Sequence, residues 1–211
     1  MNKDINNIEN NELYNLINSI ISFTNSYINF DNSTILIEES FQVIINLKIV
    51  NSCAFIKMDK ETFDFSIHSS YPKNTFEYFE SVLQNLSDSG EIGITFKSGN
   101  FYITNDKESN EYFLLIPMVC SGHIIGIYII ESEYNFEDIS IQLLNILVLF
   151  VNSLSLAFEN KELHSEIVNS SNLLDQLIAS KTIELVENNQ QLSEKIEVLK
   201  TNLSMSIPHE V

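Results

Sequence analysis

Two pairs of side chains in this 211-residue chain are of types that do chemistry. The first is His209–Glu210. An imidazole nitrogen can attack a phosphoryl group, and a neighbouring carboxylate can orient the ring and accept the proton of its other nitrogen. Phosphoryl transfer rests mainly on positioning and electrostatics. The chain has five glycines and no glycine-rich phosphate loop, so no nucleotide site of its own is expected. The second pair is Cys53 and Cys120. Two thiols can cycle through a disulfide only if their strands are adjacent, which spacing does not settle. Cys120 and His123 straddle a turn with no further ligands nearby, so no metal site is expected. The default for each cysteine is a small buried apolar residue.

These residues need elements to position them. Residues 9–29 read as a helix, with Leu13, Leu16, Ile17, Ile20 and Ile21 at 3-4 spacing. Asp31-Asn32-Ser33 is a turn and N-cap for a second helix over 33–49. The period then changes. SCAFIKMD at 52–59 and FDFSIHSS at 63–70 form a hairpin about the turn at 59–62, and a helix over 74–87 follows Pro72. A helical turn near Gly90 and Gly93, a short strand at 101–104 and a polar loop at 105–110 come next. Two apolar runs between Tyr112 and Ser132 flank Ser121-Gly122, a two-residue hairpin signal. Their near-continuous apolar character marks central strands. Asn135 to Asp138 is expected to open a long helix, with acidic residues in its first turn. The sum is an α+β domain with an antiparallel sheet of five or six strands flanked by helices.

Composition narrows the function. Hydrophobic residues make up 44% of the chain, enough for a core. The net charge is −18, from 29 acidic and 11 basic residues, which argues against binding nucleic acid or anionic membrane surfaces. Ile139 to Phe158 is long enough to span a bilayer. However, Gln142, Asn145, Asn152, Ser153 and Ser155 interrupt it, and Leu144, Leu147, Val148, Val151, Leu154 and Phe158 fall on one helical face. A core helix is therefore expected, in a cytoplasmic protein with no membrane span.

From Asn160 onward the chain has no glycine, and its one proline is Pro208. Ile178, Leu185, Leu192 and Leu199 recur every seven residues, and Thr182, Asn189, Ile196 and Leu203 take the alternate seam positions. This 3-4 alternation is a coiled-coil stripe that wants a second helix, and a seam Asn favours two strands in fixed register. Upstream, Leu163, Ile167, Ser170 and Leu174 follow one phase, and the step to Ile178 adds a second four in succession. This is a stutter, which locally unwinds a coil and reads equally as a switch between two packings or as plain irregularity.

Together these pieces resemble the GAF family of sensor domains over roughly residues 30–165. The most specific portion is LLIPMVCSGHIIGIYIIES followed by FEDISIQLLNILVLFVNSLSLAFENKEL, in which AFENKEL stands where the family has a phrase like ALENARL. LDQLIASKTIELVENNQQLSEKIEVLK is similar to the signalling helices that precede histidine kinase cores, with Lys181-Thr182 where Arg-Thr is frequent. NLSMSIPHEV resembles the opening of the phosphoacceptor motif, although Pro208 replaces the commoner Ser and the motif's Arg-Thr-Pro half does not follow before Val211. The resemblance implies segments of 1–30 for an N-terminal helix, 31–160 for the sensor domain, 161–203 for the coil and 204–211 for the start of the phosphoacceptor motif. It also implies His209 as phosphoacceptor and Glu210 as its base or orienting group. ATP would serve the parent kinase, this chain would hold no cofactor and be inactive alone, and the partners would be a second copy in a parallel homodimer and a response regulator. A small-molecule ligand would meet aromatic side chains near the family's pocket: Tyr78, Phe96, Phe101, Tyr102 and Tyr112, with Phe79 beside them. Two other outcomes stay open: a thiol-dependent reductase of the methionine sulfoxide type, and a non-catalytic ligand-binding dimer with another output.

Overall fold

The computed structural model describes residues 2–27, 30, 32–59, 61–105 and 111–205, with side chains within 12–202. The chain divides into two units, Met1–Glu162 and Leu163–Val211.

The first unit is built on one antiparallel sheet. Its elements in order are α1 (Asn2–Ser26), α2 (Ser33–Ile45), β1 (Ser52–Met58), β2 (Phe65–Tyr71), α3 (Phe76–Asp88), α4 (Glu91–Ser98), β3 (Tyr102–Asn105), β4 (Tyr112–Cys120), β5 (His123–Ser132) and the first part of α5 (Ile141–Met205). The strands stand in the order β2-β1-β5-β4-β3, so the two most apolar runs, β4 and β5, are interior as their composition requires. Strand alternation sends successive side chains to opposite faces. Cys53, Phe55, Leu114, Ile116, Tyr128 and Ile130 join α1, α2 and α5 in the larger core. Ala54, Ile56, Phe113, Leu115, Ile127 and Ile129 pack with α3 and α4 in a smaller one. The helix α1 belongs to this unit, with Leu16 and Phe23 buried in the larger core and the Phe23 ring edge-on to Phe150 of α5.

Local chemistry sets the connections. The Asn32 side chain accepts from the Ile35 amide at 2.9 Å and caps α2, as its type predicts. This helix ends at Ile45 rather than 49, with Asn46 as its C-cap. Asp59 Oδ1 accepts from the amides of Glu61 and Thr62, closing the β1–β2 turn. Ser121 and Gly122 both have positive φ, 52° and 79°, the geometry that matches a two-residue hairpin to strand twist. Gly126 answers a different need. A Cβ there would stand 2.1 Å from the Ile56 carbonyl oxygen and 2.7 Å from the Phe55 ring, so β5 and β1 can meet with that ring in place only over a glycine.

One expectation fails at the start of α5. Phe136–Asp138 forms a separate 3₁₀ turn, capped by Asn135 accepting from the Glu137 amide at 3.0 Å, and Ile139 is extended. The long helix begins at Ile141, and its first turn has no acidic residue. Asn135 caps a helix start as its type suggests, but it caps the short turn. Buried Phe136 holds that turn in the larger core.

The second unit is helical as far as Met205. Its long apolar side chains, including Ile167, Leu174, Leu185 and Leu199, are exposed.

Candidate functional site

Where α5 leaves the sheet domain, three elements converge on one carboxylate. Lys57 on β1 reaches Glu162 Oε2 at 2.8 Å, and Ser33, the first residue of α2, donates its hydroxyl to Glu162 Oε1. The Lys57 ammonium also lies 5.3 Å from the centroid of the Phe158 ring. One residue earlier, Lys161 Nζ donates to the Phe30 carbonyl at 2.7 Å. His68 on β2 packs its ring against Phe55 and Phe158. Burial raises the Glu162 carboxyl, but the hydrogen bonds from Lys57 and Ser33 outweigh it and hold the group below its ordinary range. Burial, then the Lys57 charge, pushes His68 down against the opposing pull of Glu162 and Glu38. No local sequence signal announces this cluster, because Ser33 and Glu162 are 129 positions apart.

The aromatic candidates do not form one group. Tyr78, Phe96 and Tyr102 pack on the smaller core, under α3 and α4, and buried Phe79 lies within it. Phe101 and Tyr112 pack on the larger core, across the sheet. Alternation explains the split: Phe101 and Tyr102 are neighbours in sequence and point to opposite faces. On the α3–α4 side, Tyr78 donates to Glu111 Oε2 at 2.9 Å and Thr104 to Glu91 Oε1 at 2.8 Å. Nearby, buried Glu131 accepts from the Ser52 hydroxyl. Burial pushes the Glu131 carboxyl up, the Ser52 hydrogen bond opposes it, and the charges of Glu111 and Glu133 add to the rise.

The cysteines are far from one another. Cys53 faces Ile130 of β5, which in turn faces Leu114 of β4, and Cys120 lies six residues further along β4. Strand spacing puts about 10 Å across the sheet and about 20 Å along it between them. A disulfide needs Cα atoms within about 7 Å. Both thiols are free and buried. Burial drives the Cys53 thiol well up, and the carboxylate of Glu159, then burial, raises Cys120. Neither is a ready nucleophile at neutral pH. Among the described residues no group of three or more His, Cys, Asp or Glu side chains could hold a metal ion.

In the second unit the seam residues Ile178, Leu185, Asn189, Leu192, Ile196 and Leu199 are all exposed on the single helix. The Leu203 side chain, His209 and Glu210 lie outside the described residues. Among the described residues one helix, α5, is long and apolar enough to cross a membrane by length and composition, and 44% of its apolar window is buried within the protein.

The arrangement, a five-stranded antiparallel sheet with α1, α2 and α5 on one face and α3 and α4 on the other, is the fold of GAF domains, an α+β class. Among solved structures, the chain is similar to the GAF domain of a phosphoenolpyruvate-protein phosphotransferase from Coxiella burnetii (TM-score 0.55, 12% identity, 75% of this chain and 98% of that one). It is also similar to the GAF domain of the corresponding protein from Acinetobacter (TM-score 0.52, 12% identity, 68% and 92%). A GAF domain of a two-component sensor histidine kinase from Bacillus halodurans matches more loosely (TM-score 0.43, 17% identity, 58% and 92%). No protein-family model and no curated protein sequence matches the chain.

Proposed function

We propose that this chain is the sensory input half of a cytoplasmic two-component histidine kinase. In this reading it works as a parallel homodimer that passes a signal along its C-terminal coil toward a phosphoacceptor motif that opens at 204–211, with His209 as phosphoacceptor and Glu210 as its base or orienting group. The observation that carries the reading is the 3-4 seam of exposed Ile and Leu side chains with Asn189 among them, on a helix extending from a GAF fold. Such a stripe on one helix leaves large apolar area in water, and a second copy in register removes it. The Glu162 cluster supports the transmission step. It ties the helix to β1 and α2 just before the coil begins, so a rearrangement of either element changes how the helix is held.

Light scattering tests the dimer: twice the chain mass is expected, and a monomer at micromolar concentration overturns the reading. The phosphoacceptor role is tested with ATP and an isolated histidine kinase ATP-binding domain added in trans. The γ-phosphoryl bond to ADP breaks as an N–P bond forms on His209, giving an acid-labile label that His209→Gln abolishes. A label that persists in His209→Gln would remove His209 from the reaction.

The reductase reading has lost its footing, since the two thiols are too distant to pair. A ligand-binding role remains compatible with the fold. Its candidates are Tyr78, Phe96 and Tyr102 on the α3–α4 side, with Glu111 and Glu91 as polar neighbours.

A further inference from the structure

We propose that His68 is a proton-operated release for the last turn of α5 in the sheet domain: on taking up a proton its ring leaves Phe55 and Phe158, and the turn from Phe158 to Glu162 loosens from β1. The device lies wholly within the first unit and needs no second copy. A fault in the sheet puts the ring there. Along the β1–β2 pairing Phe55 faces Ser69 and Ile56 faces Ile67, so His68 is the extra residue of a bulge. Bulges re-aim a side chain in this way. Ile67, just before it, packs on the smaller core. The His68 ring instead lies 5.6 Å from Phe55 and 6.2 Å from Phe158, two rings of the larger core.

Charged groups reach this ring from three elements. From β1 comes Lys57, whose ammonium lies 5.3 Å from the centroid of the same Phe158 ring. From α5 comes Glu162, one helical turn beyond Phe158, which holds Lys57 at 2.8 Å. From α2 comes Glu38, itself 3.4 Å from Lys73. On β2, Ser69 Oγ stands 3.2 Å from His68 Nδ1. Phe158 thus has Lys57 and His68 as neighbours, and a proton on the imidazole makes both of them cations. Two phenyl rings solvate an imidazolium poorly, and the Lys57 charge repels it. Glu162 and Glu38 pull the other way, but burial and Lys57 outweigh them.

The direction of the switch follows. The seated ring holds a proton less tightly than a ring withdrawn into water. Seating is therefore fully favoured above the ordinary imidazole range, and that preference is lost as pH falls through the folded value. His68 is only half-buried, so solvent can supply the proton. Glu162 also loosens its hold on acidification, but in the carboxylate range, which lies lower. The two effects separate by pH.

Hydrogen–deuterium exchange of the full chain tests the release, read over residues 155–162 at about pH 7.5 and about pH 5.5 and corrected for the intrinsic rate. In the parent chain, protection there is expected to fall about threefold or more on acidification. It is expected to hold in His68→Phe, which keeps an aromatic ring without a titrating group, and in His68→Gln, which decides the matter should the first variant fail to fold. Proton NMR of the His68 ring, its signal identified by its loss in His68→Gln, supplies a readout that a packing role would not move. Lys57→Gln is expected to raise the titration midpoint of that ring, because the repelling charge is gone. Constant protection in the parent across this window, or a loss equally large in the folded His68 variants, overturns the proposal. A midpoint that Lys57→Gln leaves in place overturns it as well.

Discussion

The Glu162 carboxylate is the residue on which most of the domain's exit is fixed, and its titration has a definite sign. Its folded-state pKa lies below the ordinary value, so it contributes stability above the unfolded carboxylate range and loses it as pH falls through the folded value. His68 acts in the same direction: its folded pKa is depressed, so its contribution is complete above the ordinary imidazole range and declines on acidification. Glu162→Gln is expected to cost up to about 1 kcal/mol at neutral pH, as a partly exposed ion pair does. Urea denaturation should show the gap to the parent closing in acid, and a gap that holds constant with pH would discount the Lys57 pairing. Glu131 has the opposite sign. Its raised carboxyl costs stability once ionised, so Glu131→Gln is expected to be neutral or stabilising at pH 7 provided the amide keeps the Ser52 hydrogen bond. Gly126→Ala should destabilise by about 1–3 kcal/mol in the same assay, because the methyl group meets backbone on one side and a buried ring on the other. Within the larger core, Tyr128 and Ser40 share a hydrogen bond of 2.5 Å, both fully buried. Ser40→Ala strands the phenol and should cost about 1–3 kcal/mol, more than Tyr128→Phe if the Ser40 hydroxyl keeps its bond to the Ile37 carbonyl.

At the scale of elements, much was legible in advance, for physical reasons that differ by element. The β4–β5 hairpin was plain because two continuous apolar runs about Ser121-Gly122 admit few other structures. The buried face of α5 was plain because Leu144, Leu147, Val151, Leu154 and Phe158 repeat at helical spacing. Its exposed leucines were not, since in a stretch where nearly every residue is apolar, two more leucines carry no signal until the opposite face is seen to be buried. The start of α5 was misplaced because Asn135 and its acidic neighbours are good N-terminal residues for any helical turn, however short. Sequence also could not separate the aromatic candidates, because Tyr102 and Phe101 differ by one position and the strand's exact start decides which faces α3 and α4. In the proposed coil, Asn189→Ile is expected to strengthen association while loosening register and oligomer state, because a polar seam residue trades stability for specificity. Sedimentation of that variant should reveal species larger than a dimer, and an unchanged dimer would assign Asn189 no such part.

For the molecule as a whole, the distribution of charge and the two-sided helix work together. An acidic surface of net −18 opposes close approach of two copies, so the proposed dimer needs a contact face low in charge. The proposed dimer is therefore expected to tighten with added salt wherever acidic flanks face one another, a trend that light scattering at two ionic strengths can read. The same helix supplies the last layer of the core and, on its other side, the exposed Leu149 and Leu156.

This shared helix also sets the rules for rebuilding the protein. A loop joint would let a sensor be cut and spliced to a new output almost anywhere. If the proposed coil forms, a graft made between Phe158 and Leu174 must conserve the residue count, since one added residue shifts the 3-4 apolar pattern of a helix by about 100°. If the chain is the proposed sensor, chimeras joined in multiples of seven residues should respond as the parent does. Those joined one or two residues out of step should fold as well and yet be deaf to their input, or locked in one output, and scoring such a ladder of splice lengths would show directly whether the message is carried by rotation.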